Sequence, residues 1–284
     1  MIYLIIVSII WALSFSLIKG NLTGIDSNLV AFIRLGISFF IFLPFLKIKN
    51  VNKKLLNRFF LIGSIQYGLM YVTYIYSYQF LEAYQIAVLT IFTPLFVILI
   101  YDWWNKKLKP IHLITSLLAV IGAGVIVYSK TLSIENWKGI LLIQISNLCF
   151  AFGQVYFKKI IKKNPTIKPV RVFSIIYLGA AFIAGLFGFI FTNFSSVSIT
   201  PKQWFSLIYL GVVASGIGFF LWNVGVTKVT ANTLAVLNNL KIPLGVIFAF
   251  LILGETTVFS KLIIGTAIIV IALFLSIKYE SEKN

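Results

Sequence analysis

The chain has 284 residues, 60% hydrophobic and 11% charged, and its mean hydropathy of +1.01 excludes a soluble domain and marks a polytopic membrane protein. Its 24 Lys and Arg against seven Asp and Glu leave a formal charge of +17, but the basic residues fall in short connections between apolar segments, where they orient the chain and attract anionic lipid headgroups rather than nucleic acid. The single Cys149 excludes an internal disulfide, and the one His112, near Lys107 and Lys109, has no partner at metal-ligand spacing, so neither a metal nor another cofactor is expected.

Apolar runs of about 17 to 25 residues, the length a bilayer requires, are read in chain order at 2–18, 28–46, 59–80, 83–101 and 111–129. Five more follow at 139–157, 170–191, 204–222, 230–253 and 262–277. Met1-Ile2-Tyr3 offers no basic leader and no small-residue cleavage site follows, so the first segment is expected to be retained. The predicted fold is all-α, a polytopic protein of ten transmembrane helices. An even number puts both termini on one side. That side carries seventeen Lys and Arg, from Lys47 through Arg171 to Lys283, whereas the other has only Lys19, Lys130, Lys138, Lys202 and Lys261. The asymmetry places both termini in the cytoplasm and the chain in the inner, cytoplasmic membrane. Arg34 and Lys241 remain inside the membrane.

The chain also repeats itself. The stretch 83–101, with Pro94, lies on 232–250, with Pro243, at a constant separation of 149 residues. Trp11-Ala12-Leu13-Ser14 through Lys19 matches Phe150-Ala151-Phe152-Gly153 through Lys158 at 139. The longer polar connection around Asn193 to Lys202 absorbs the difference. Residues 1–130 and 131–284 therefore form two halves of five helices each. An odd number obliges the second half to enter the membrane from the opposite face, and inverted repeats place a transporter's site near the midplane between them.

Trp11 with Ser14 and Phe15 before Lys19, Arg34-Leu35 early in the second helix, and Pro243 followed by Leu253-Gly254-Glu255 resemble the EamA branch of the drug/metabolite transporter superfamily. The resemblance covers nearly the whole chain and implies alternating-access movement of small metabolites without nucleotide hydrolysis. One departure stands out. Where the second repeat has Gly254-Glu255 the first has Asn105-Lys106, so the acidic helix end is absent from that half.

The candidate site centres on Asn238-Asn239-Leu240-Lys241-Ile242-Pro243. Lys241 lies about 16 Å from one end of its apolar segment and about 18 Å from the other at helical rise, close to the bilayer midplane. A Lys at that depth costs on the order of 3 kcal/mol on insertion scales and marks a functional site. Leu234, Asn238, Lys241 and Gly245 share one helical face. Pro243 cannot donate to the carbonyl of Asn239, nor Pro94 to that of Thr90, which frees both carbonyls toward water, substrate or a neighbouring helix. Tyr67, Tyr71, Tyr74 and Tyr78 form an aromatic face, of which the central Tyr71 and Tyr74 are substrate-binding candidates. Gln144, Asn147 and Gln154 give the sixth helix a polar stripe, and Trp11 and Ser14 occupy the matching place in the first. Arg34 is shallower and reads as a structural or gate contact that can snorkel outward.

Asp26, Glu82, Asp102, Glu135 and Glu255 all fall at or beyond helix ends, so proton coupling through a midplane carboxylate has no support and a facilitator or exchanger fits equally well. The reading is a secondary transporter in which Lys241 attracts a carboxylate or phosphate while Asn238, Asn239, Gln144 and Asn147 orient the rest. An amino acid or derivative fits best. A larger nucleoside-bearing metabolite such as S-adenosylmethionine comes next. A lipid-modifying enzyme lacks the gathered acidic, His or Cys groups it would need, midspan prolines argue against a passive channel, and no Gly-rich phosphate loop serves ATP.

Overall fold

The computed structural model describes residues 1–22, 24–49, 51–81, 83–127, 136–192, 198–254 and 258–281, apart from some side chains within these, including those of residues 15, 19 and 78. The junction between residues 130 and 131, Glu82, Glu135 and Glu255 lie outside them.

The helices are α1 (Ile2–Asn21), α2 (Ser27–Phe42), α3 (Lys53–Tyr76), α4 (Ala83–Thr90), α5 (Thr93–Asn105) and α6 (Pro110–Val127). They continue as α7 (Trp137–Lys163), α8 (Phe173–Phe191), α9 (Pro201–Thr227), α10 (Ala231–Leu237), α11 (Lys241–Leu253) and α12 (Phe259–Ser281). Among the described residues, nine helical stretches are long and apolar enough to cross a membrane, and the apolar part of α1, Ile2–Ser14, is shorter. The chain is thus an all-helical, multi-pass membrane protein. Exposed Phe182, Phe189, Leu251 and Ile263 give it an apolar exterior.

Several helices begin earlier than the apolar pattern predicts, because the capping residues sit in the polar flanks. Asn52 accepts from the Leu55 amide and starts α3 six residues before Phe59. Thr200 and Gln203 form a reciprocal capping box that starts α9 three residues before Trp204. Thr230 caps α10 through the Thr233 amide.

Two predicted continuous segments are broken. The chain turns at residues 91–92 between α4 and α5, and at 238–240 between α10 and α11. Each break precedes its proline by two or three residues, since proline is tolerated in the first turn of a new helix but not within one. The carbonyls expected to be freed are both occupied. The Ile242 amide donates to the Asn239 carbonyl at 3.0 Å, and the Thr93 hydroxyl donates to the Thr90 carbonyl at 2.9 Å.

Packing follows a pattern of exchanged partners. α2 runs against α8 and α6 against α12; α3 meets α8 as α2 meets α9; α1 meets α11 as α5 meets α7. The α6–α12 crossing is close because a Cβ on Gly122 would lie 2.7 Å from the Gly265 carbonyl oxygen and one on Gly265 2.4 Å from that of Gly122. Both α3 and α9 contain a widened π-helical turn, at Ser64–Leu69 and Leu210–Ile217. Gln66 and Asn223 join these two helices by reciprocal amide bonds of 3.0 and 3.2 Å.

Candidate functional site

A group of rings lines the centre of the bundle. Trp11 of α1 lies 4.8 Å from Trp222, 5.5 Å from Phe219 and 5.9 Å from Phe150, measured between centroids. Its indole N–H donates to the Ala214 carbonyl at 3.0 Å, inside the widened turn of α9. Such turns cluster at functional sites because they re-aim side chains and backbone. Tyr67 stacks on Phe219 at 4.1 Å, and Tyr71 meets the same ring edge-on at 6.0 Å.

Lys241 is the first residue of α11, half-buried, with its ammonium 6.0 Å from the centroid of Trp11 and 5.9 Å from that of Phe150. Ring faces return about 0.5 to 2 kcal/mol to a cation, less than the on the order of 3 kcal/mol that burying a midspan Lys costs. No carboxylate pairs with it among the described residues, where the carboxylate of Asp102 lies 2.8 Å from His112 Nδ1 instead. The N-terminus of a helix also opposes a cation and favours an anion. Charge, rings and helix end together make a place for an anion attached to an apolar or flat body.

The two amides beside Lys241 point away from each other. Asn238 is buried and donates to the Gln154 side-chain oxygen at 3.1 Å and the Leu234 carbonyl at 2.9 Å; Gln154 donates back at 3.3 Å. Trp222 Nε1 donates to that same Gln154 oxygen at 3.0 Å. Asn239 reaches the other break, donating to the carbonyls of Ile91 at 2.9 Å and Ala119 at 3.1 Å, while its buried Oδ1 has no partner among the described residues. The shared face predicted for Asn238 and Lys241 assumed an unbroken helix, and the turn at 238–240 divides it.

The other predicted residues divide in the same way. Asn147 donates to the Leu89 carbonyl at 2.8 Å and to Gln144 at 3.2 Å, and accepts from Thr93 at 3.2 Å. Gln144 reaches the same Leu89 carbonyl at 3.4 Å. Both amides therefore serve the α4–α5 break, beside buried Pro94. Pro243 is likewise buried at the other break. Ser14 donates to the Ile10 carbonyl of its own helix at 2.6 Å. Tyr74 packs against a separate cluster of Leu81, Ile86, Leu89 and Ile143, away from Tyr71.

Arg34 departs most from expectation. It does not snorkel outward but is 5% exposed, donates through Nε to the Ser215 hydroxyl at 3.1 Å, and sits over the Tyr71 ring at 5.4 Å. Phe219 and Trp222 were not foreseen as lining residues, because in an apolar segment hydrophobicity alone does not say which ring faces inward. Two clefts of about 420 and 230 Å³ lie at helix ends, the first beside Met1 and Lys228 and the second beside Arg58 and Lys163, and Lys241 lines neither.

A membrane-embedded helical bundle with paired helix breaks and a cation at the start of one half-helix defines a transporter of small molecules. The chain belongs to the EamA-like transporter family, which matches residues 1–128 and 137–278. It is similar to the biotin transporter of Salmonella typhimurium, at 37% identity over 99% of this chain and 94% of that protein. The biotin transporter of Escherichia coli K12 is 36% identical over the same shares, and the probable biotin transporter of Pseudomonas aeruginosa is 34% identical over 96% of each chain. Among the solved structures that match, a crystal structure aligns with a TM-score of 0.78 at 16% identity, covering 96% of this chain and 95% of the other, which shows the fold. The protein is a small-metabolite transporter and not an enzyme. The amino-acid substrate read from the sequence finds no support among these relatives.

Proposed function

We propose that this protein carries biotin, or a close biotin-like carboxylate, across the cytoplasmic membrane. The supporting observation is the ammonium of Lys241 beside Trp11 and Phe150 with no carboxylate partner among the described residues, together with relatives named for biotin over nearly their full length. Biotin's side-chain carboxylate is ionised at neutral pH, as carboxylic acids with ordinary pKa values are. Its compact bicycle carries a ureido group for hydrogen bonding and a thioether of the kind that packs well on rings.

In this reading Lys241 holds the carboxylate and Trp11 and Tyr71 contact the bicycle. Asn238, Asn239, Gln144 and Asn147 keep the two breaks in place, and Tyr74 and Ser14 support their helices from outside the ring-lined centre. An amino acid would bring an α-ammonium into a centre where no described carboxylate awaits it. S-adenosylmethionine would bring a sulfonium toward the same cation. Residues 1–130 and 131–284 act as inverted repeats that alternate around the site, with both termini cytoplasmic and the basic connections on anionic lipid.

The test is uptake of labelled biotin into liposomes containing the purified protein. Saturable uptake is expected, falling about 10- to 100-fold in kcat/KM for Lys241→Met, the worth of one charge-assisted contact of about 1.5 to 3 kcal/mol. Unchanged biotin uptake by that variant would remove Lys241 from the site. Uptake of an amino acid but not of biotin would replace the substrate.

A further inference from the structure

The ring-lined centre has a cation at each end. Starting from Lys241, contacts run to Trp11 at 6.0 Å, from Trp11 to Phe219 at 5.5 Å, from Phe219 to Tyr71 at 6.0 Å, and from Tyr71 to the guanidinium of Arg34 at 5.4 Å. Arg34 is 5% exposed, and among the described residues its side-chain hydrogen bond goes to Ser215 with no carboxylate paired to it. On α9, Ser215, Phe219 and Trp222 share one face, and Ser215 precedes Trp222 by about 10 Å of helical rise. Arg34 lies seven residues, about 10 Å of rise, from the Ser27 end of α2, whereas Lys241 lies twelve residues, about 18 Å, from the Leu253 end of α11, so Arg34 is nearer the face on which α9 starts at Pro201.

Burying two unpaired like charges in one aromatic-lined region is unfavourable twice over, by desolvation and by mutual repulsion in a low dielectric. A guanidinium is less strongly hydrated than an ammonium and presents a planar fork that matches a carboxylate bidentately. With Nε committed to Ser215, its terminal nitrogens are, among the described residues, the groups that remain for a ligand, and the guanidinium carbon sits 5.4 Å from the Tyr71 ring.

We propose that Arg34 forms a second carboxylate-binding position, nearer the Pro201 face than Lys241, and that the substrate's carboxylate occupies the two in succession as it crosses. This rests on the reading of Lys241 as the anion partner. The intervening rings let an apolar body slide without binding it strongly. Two positions of similar chemistry keep the charge partnered on either side of the conformational change, so that neither end becomes a deep trap.

The experiment measures uptake of biotin and of its uncharged methyl ester in liposomes of known orientation, with substrate presented to each face, for the wild type and for Arg34→Gln, Arg34→Lys and Lys241→Met. Thermal unfolding of each variant in detergent is measured alongside. Arg34→Gln is expected to raise the KM for biotin at least tenfold when biotin is presented to the Pro201 face, and much less from the other. Transport of the ester should change little, and Arg34→Lys should recover part of the loss. Lys241→Met should weaken biotin transport from both faces. If Arg34→Gln keeps the wild-type KM for biotin while Lys241→Met loses transport, the second position does not exist and the Lys241 reading stands. Equal loss of biotin and ester together with a lower unfolding temperature would make Arg34 a packing residue. A wild-type protein that moves the ester as well as biotin would overturn carboxylate recognition at both cations.

Discussion

Lys241 and Asn238 stand three residues apart and have opposite energetic roles. Among the described residues the ammonium is met by ring faces, while the amide closes a network with Gln154 and Trp222 whose members satisfy one another. Removing a midspan charge relieves a desolvation cost, so Lys241→Met should unfold at a higher temperature than the wild type even as it loses transport. Gln154→Leu should do the reverse. It strands donors on Asn238 and Trp222 in a dry interior, at about 1 to 3 kcal/mol for each unsatisfied group, and thermal unfolding in detergent reads the difference. Equal shifts in the two variants would mean that Lys241 is as structural as the amides. The lysine was legible in the sequence because a charge in an apolar run is conspicuous. The amides were legible as polar residues but not as partners, since hydrogen bonding is decided by which helices meet.

At the scale of elements, the two helix breaks matter most. Pro94 and Pro243, 149 residues apart, announced them, but the turns fall ahead of the prolines and the carbonyls thought to be free are taken by Ile242 and Thr93. Because a proline removes a donor only from the fourth residue back, a tight turn one residue shorter satisfies that carbonyl without a ligand. The Gly122–Gly265 crossing had no comparable signal. Glycines are common in membrane helices, and only their juxtaposition gives these two a role. With the opposing carbonyl oxygen 2.4 Å from a Cβ on Gly265, Gly265→Leu should force α6 and α12 apart and cost about 1 to 3 kcal/mol by overpacking. A small-to-small change, Gly265→Ala, should be the milder of the two, and a ranking of unfolding temperatures checks both.

For the whole molecule, the asymmetry of basic residues predicts orientation independently of any side-chain contact. Reporter domains fused to either terminus should be active only when the reporter folds in the cytoplasm, and a periplasmic phosphatase fused to the C-terminus should stay silent. A phosphatase active at both ends would invert the topology and with it the face assigned to Arg34. Exchanged packing partners around α2–α8 and α6–α12 also predict that the moving units each combine helices from both halves. A cross-link between Gln66 and Asn223 positions, placed as cysteines in a Cys149→Ser background, should lock α3 to α9 and stop uptake reversibly.

The sequence by itself determined that this is a membrane protein of long apolar helices, set which loops carry positive charge, and exposed the repeat, the prolines and the midspan lysine. Each of these is a one-dimensional property: hydropathy must match bilayer thickness, loop charge must match the translocation rule, and a helix breaker acts on its own segment. Only the tertiary structure decided which rings surround Lys241, that Arg34 turns inward onto Tyr71 and Ser215, and that Tyr74 packs on the Leu81 and Ile143 cluster. In segments apolar on every side, periodicity does not mark the inner face. The choice is made by close packing and by where buried polar groups find partners.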